Sequence, residues 1–153
     1  MKEKFFIKGV VTAVLRGPDG KIKQEQTVDN LVVTGGLGFI TSRMLAASAT
    51  VMSHIGVGTT NTAPATAQTA LLAEVGTRAS VGSPTQVTTT VTNDTVQFLA
   101  TFASGNATGA LVEAGIFNAS TAGTMLSRVI FSVINKGAND SLDITWKLQL
   151  TAS

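Results

Sequence analysis

Along residues 141–150 the apolar side chains Leu142, Ile144, Trp146, Leu148 and Leu150 alternate with Asp143, Thr145, Lys147 and Gln149. That period of two is the mark of a strand with one buried face. The same alternation recurs at residues 95–103, where Val96, Phe98, Ala100 and Phe102 interleave with Thr95, Gln97, Leu99 and Thr101. Residues 111–117 and 124–134 are apolar and strand-like. The turn-forming stretches Asn118-Ala-Ser-Thr-Ala-Gly123 and Asn135-Lys-Gly-Ala-Asn-Asp140 punctuate this half of the chain. The inward positions predict a core containing Phe98, Phe102, Phe117, Phe131, Ile144, Trp146 and Leu148.

In the N-terminal half, residues 5–15 are β-branched and aromatic and run into Arg16-Gly-Pro-Asp-Gly20, a turn with Gly20 at its left-handed position. Residues 21–33 are expected to return as one partner strand, polar at first and apolar at the end. At Thr34-Gly-Gly-Leu-Gly the period lengthens to about 3.6, predicting a helix over 36–47 with Leu37, Ile40, Met44 and Ala47 inward and Thr34 capping it. A short strand is expected at 52–57, then an Ala/Thr-rich connection at 58–70 and a helical turn at 69–75. An interrupted edge strand is expected within 78–91, where Gly82 and Pro84 break the run. About eight strands with one helix and no βαβ rhythm predict an antiparallel β-sandwich of the jelly-roll kind. The length of 153 residues suits one domain spanning 1–153.

Composition narrows the function classes. Hydrophobic residues make up 44% and charged residues 13%, with a mean hydropathy of +0.31, so apolar surface is expected to be covered by other subunits. No apolar run reaches the ~20 residues that span a bilayer, and no membrane partner is expected. A net charge of +2 with scattered basic residues argues against a nucleic-acid partner. The absence of cysteine removes disulfides and thiolate metal sites.

Candidate chemistry is sparse. His54 is the only histidine and has no further metal ligands beside it in sequence, so no metal, cofactor or catalytic residue is assigned and the chain is read as not an enzyme. The glycines at 35, 36 and 38 match neither the dinucleotide nor the Walker pattern. Of Glu74, Glu113, Asp140 and Asp143, only Glu113 lies in an apolar setting; it needs a partner if buried, and Arg43 and Arg128 are the candidates for a structural ion pair.

The run Glu113-Ala-Gly-Ile-Phe-Asn118, then Gly123-Thr-Met-Leu-Ser-Arg128, Phe131, Asn135-Lys-Gly137 and Leu142-Asp-Ile-Thr-Trp146 resembles small structural proteins of tailed bacteriophages, a family often labelled tail-fibre or minor virion proteins. Asp29-Asn-Leu-Val-Val33 and Ser53-His-Ile-Gly-Val-Gly-Thr59 extend the likeness over most of the chain. The resemblance implies a non-enzymatic virion subunit associated with the tail, fibre or baseplate and assembled in the host cytoplasm. It would form a homo-oligomer, a trimer ahead of a dimer, and dock to other virion proteins. Expected exposure, and not a family motif, makes the edge carrying Lys21, Lys23 and Glu25 and the connection carrying Thr60, Asn61 and Pro64 the interface candidates. A capsid-decorating or neck subunit is the alternative. A host-glycan-binding module ranks behind both, because sugar platforms use exposed aromatic rings and this chain has one Trp and no Tyr.

Overall fold

The inward alternation of the last strand is answered in register by its two neighbours: Trp146 sits opposite Val11 on one side and Phe98 on the other. The structure, a computed structural model, describes residues 2–45 and 50–152. Among these the order is β1 (Phe5–Arg16), β2 (Ile22–Asp29), β3 (Leu31–Val32), α1 (Thr34–Met44), β4 (His54–Gly58), β5 (Glu74–Ser80), β6 (Thr85–Val87), β7 (Thr95–Phe102), β8 (Gly109–Phe117), β9 (Met125–Lys136) and β10 (Ser141–Ala152).

Two five-stranded antiparallel sheets result, ordered β2-β1-β10-β7-β6 and β3-β9-β8-β4-β5. They pack face to face as a β-sandwich, with ten strands where about eight were expected. Val11, Phe98, Phe102, Ile144, Trp146 and Leu148 from the first sheet meet Ile55, Val57, Ile116, Val129, Phe131 and Ile134 from the second in one buried cluster. Every predicted core residue is buried, Trp146 and Phe102 completely. Phe117 is buried too, but in a smaller cluster with Val33, Leu71 and Met125.

Several expected boundaries move, each for a physical reason. Residues 21–33 form two strands, because the chain changes sheets at Asn30: Asp29 pairs with Val10 in the first sheet and Leu31 with Arg128 in the second. The corner is tight. The Asn30 side chain occupies the space a Cβ on Gly9 would need, and the Asn30 backbone N–H donates to Gly9 O at 3.1 Å. The helix begins at Thr34, capped by Val33 without a side-chain bond rather than by Thr34. Its inward side is rotated towards Gly36, Phe39 and Ile40, leaving Leu37 and Met44 exposed. Gly36 sets this rotation, since a Cβ there would collide with the Leu126 backbone. Ala47 lies outside the described residues. The expected helical turn at 69–75 is absent, replaced by irregular chain that enters β5 at Glu74.

Carboxamide side chains act as strand mimics on β9 and on β5. Gln26 Nε2 donates to Ser132 O at 2.6 Å while Ser132 N–H donates to Gln26 Oε1 at 2.9 Å, and Gln24 Nε2 donates to Val133 O at 3.0 Å. On the other side Thr77 N–H donates to Asn106 Oδ1 and Asn106 Nδ2 to Thr77 O, both at 2.9 Å. Such pairs satisfy edge groups that would otherwise recruit a foreign strand.

Candidate functional site

Two features stand out from the regular sandwich. The first is on the outer face of the second sheet. Gly56 and Gly58 of β4 and Gly115 of β8 leave that face bare, and the connection over residues 59–73 lies down on it as a strap. A Cβ on Gly58 would strike Ala73 O and Glu113 Oε1, and one on Gly115 would meet Leu71 Cδ2 at 3.0 Å. Leu71 fills the space above Phe117 and Met125.

The polar anchor of the strap is Glu113 paired with Arg128, both side chains fully buried. Arg128 stands opposite Gly115 in the β8–β9 register. Across that missing side chain its guanidinium reaches Glu113 Oε2, with Nη2 at 2.7 Å and Nε at 2.9 Å. Arg128 Nη1 donates to Thr62 O at 2.9 Å and Gln68 Oε1 at 3.1 Å. Glu113 accepts the N–H groups of Ala73 at 2.9 Å and Leu72 at 3.4 Å. Each buried charge therefore meets its opposite and also holds strap backbone, which is the condition for tolerating such a pair. Arg43, the other candidate partner, lies instead on α1, where it lines the cleft described below.

The strap reaches further. Thr66 O accepts the Thr34 N–H at 2.8 Å, which satisfies one of the orphan donors at the start of α1. Arg78 clamps the neighbouring turn: it stacks 3.5 Å from the Phe117 ring centroid, pairs with Glu74 at 2.6 Å, and donates to Ala119 O and Ala122 O.

The second feature is the end of the sandwich where β1 begins and β10 finishes. Here the inner face of the first sheet runs on past the second, and α1 covers it only in part. Ile7, Val96, Leu148 and Leu150 form one wall of a cleft of about 410 Å³, facing Phe39, Ile40 and Arg43 of α1, with Val51 and Met52 at its side. The rim is apolar and open to solvent. Phe5, Met44, Leu45, Val51 and Leu150 are all exposed. This end was not read from the sequence, because Phe5 and Leu150 continue the alternation of buried strands and carry no mark of where the opposite sheet stops.

The other sequence-derived candidates are placed as follows. Lys21 and Glu25 are exposed at the β2 edge, and Lys23 Nζ pairs with Asp140 at 2.8 Å. Asn61 is exposed on the strap, while Thr60 and Pro64 are half-buried there. His54 is half-buried in β4, with Nδ1 2.8 Å from Ser53 Oγ. That bond uses the ring nitrogen a triad acid would have to hold. Among the described residues no three His, Cys, Asp or Glu side chains gather as a metal site, and no helix is long and apolar enough to cross a membrane.

Three groups have shifted acidity. Burial alone would raise the Asp94 carboxyl. The N–H groups of Thr89, Val91 and Thr90 and the Gln149 amide outweigh it and hold the group well below the usual carboxylate range. Asp140 is lowered by the Lys23 ammonium bonded to it and by the Gly137 N–H. Lys136, whose ammonium donates to Ala103 O at 3.0 Å, is pushed down by burial, with the Asp140 charge opposing the shift. All three tie loops to strands at the ends of the sandwich.

The class defined by these observations is an antiparallel β-sandwich with a strapped outer face and one open apolar end. Comparison with family models, with curated proteins and with solved structures finds no match to the chain.

Proposed function

We propose that this chain is a non-enzymatic structural subunit of a tailed-bacteriophage virion, associated with the tail, fibre or baseplate, that works by self-association and by docking to other virion proteins. The observation that carries the reading is the open end, where Phe5, Met44, Leu45, Val51 and Leu150 stand exposed around an apolar cleft. Contiguous exposed apolar surface of this kind is what assembling proteins use.

The residues behind the family resemblance support the same reading. Glu113, Gly115, Phe117 and Arg128 build the seat of the strap, and Asn118 Oδ1 accepts the Thr124 N–H at 2.7 Å to close the β8–β9 turn. They act as packing and turn residues, so the likeness is one of architecture. The sugar-platform alternative draws no support from Trp146, which is fully buried.

Gold-labelled antibody against this chain, applied to purified phage particles and viewed by electron microscopy, tests the assignment. Label at the tail, its baseplate or its fibres is the expected result. Label over the head would transfer the chain to the capsid-decorating alternative, and unlabelled particles in which the chain is present only in the unassembled fraction would contradict the virion reading.

A further inference from the structure

Resting on that reading, we propose that the open end of the sandwich is the self-association surface, and that the cleft between α1 and β10 receives the apolar rim of a second copy of this chain.

Area is the first argument. Phe5 is 63% exposed, Met44 82%, Leu45 83%, Val51 55% and Leu150 41%. At about 150–200 Å² for each full side chain, the exposed parts come to roughly 600 Å² per copy. A stable interface buries ~800 Å² per partner. The half-buried Ile7, Phe39 and Ile40 behind the rim supply further apolar surface. The rim and the cleft are continuous, because Val51 and Leu150 belong to both, Phe5 shares the inner face of β1 with Ile7, and Met44 follows Arg43 on α1.

The shape of the end selects the occupant. A small molecule filling about 410 Å³ would sit inside the cleft and leave Met44, Leu45 and Phe5 in water. A macromolecular surface is needed to cover them. Protruding apolar side chains and an apolar cleft lie side by side on the same end, so two copies offer each other what each lacks, the condition for a closed symmetric contact. The flanks are poor alternatives, since Gln26 and Asn106 already occupy backbone groups there.

Sedimentation velocity over a range of concentrations tests this on the full chain, comparing wild type with Phe5→Lys/Met44→Lys. The expected result is a wild-type oligomer and association at least tenfold weaker in the variant, with the circular dichroism spectrum of the folded chain unchanged. If the double variant misfolds, Met44→Lys alone is read, at a side chain that barely touches the fold. A wild-type oligomer that survives these changes would overturn this surface while leaving virion self-assembly standing. A wild type that stays monomeric at high concentration would overturn the self-docking, and the particle labelling would then decide the virion reading separately.

Discussion

Arg128 reaches Glu113 only because Gly115 stands between them without a side chain. Replacing one member of a fully buried pair leaves the other charge without its counter-ion, so Arg128→Met is expected to cost about 3–5 kcal/mol in urea unfolding. An unchanged midpoint would mean that water reaches the site. The sequence marks Glu113 as an acid in an apolar run, and Arg128 as one of two possible partners. Choosing between Arg128 and Arg43 requires the β8–β9 register and the rotation of α1, and neither is visible in local periodicity. Asp94 poses a different residue-scale question. Its folded-state acidity is depressed, so the stability it contributes is present above the ordinary carboxylate value of about 4 and is lost as pH falls below it. Asp140 acts in the same direction. Acid titration of the melting temperature should therefore fall steeply below about pH 4, and Asp94→Asn should flatten that fall. A variant with the wild-type acid slope would remove Asp94 from the account.

At the scale of elements, the alternating strands β7 and β10 are legible to within two residues of their ends because one face is apolar along nearly its whole length. The strap is not, since the sequence presents it only as a long Ala/Thr-rich connection. Its signal lies elsewhere, in glycines spaced two apart at 56 and 58 and again at 115 beside Glu113, where a strand face has been emptied to admit another segment. Gly58→Ala puts a methyl group against Ala73 O and the Glu113 carboxylate. The expected cost is about 1–3 kcal/mol, as for other overpacked sites. It should be accompanied by faster amide exchange at Leu72 and Ala73, whose N–H groups the carboxylate holds. Unaltered exchange there would mean that the strap is not anchored by Glu113. The helix shows the converse limit: its apolar positions are evident, yet the buried side is chosen by Gly36 against Leu126, a contact between segments far apart in sequence.

For the whole molecule, side chains and loops take up part of the backbone that the sheet edges leave unpaired. The chain switches sheets at Asn30, glutamines bridge β2 to β9, Asn106 pairs with β5, and the strap covers the second sheet. At the end around α1, exposed apolar side chains gather about a cleft. On the proposed reading the molecule is a building block that associates through this end, and its role depends on what it is built into. Quantitative mass spectrometry of purified virions, scaled to the major capsid protein, tests that claim most directly. The account predicts a few copies per particle at a fixed ratio, as expected of a tail, baseplate or fibre component. A ratio approaching that of the capsid protein would contradict the tail assignment in favour of head decoration, and absence from the particle would contradict the structural role altogether.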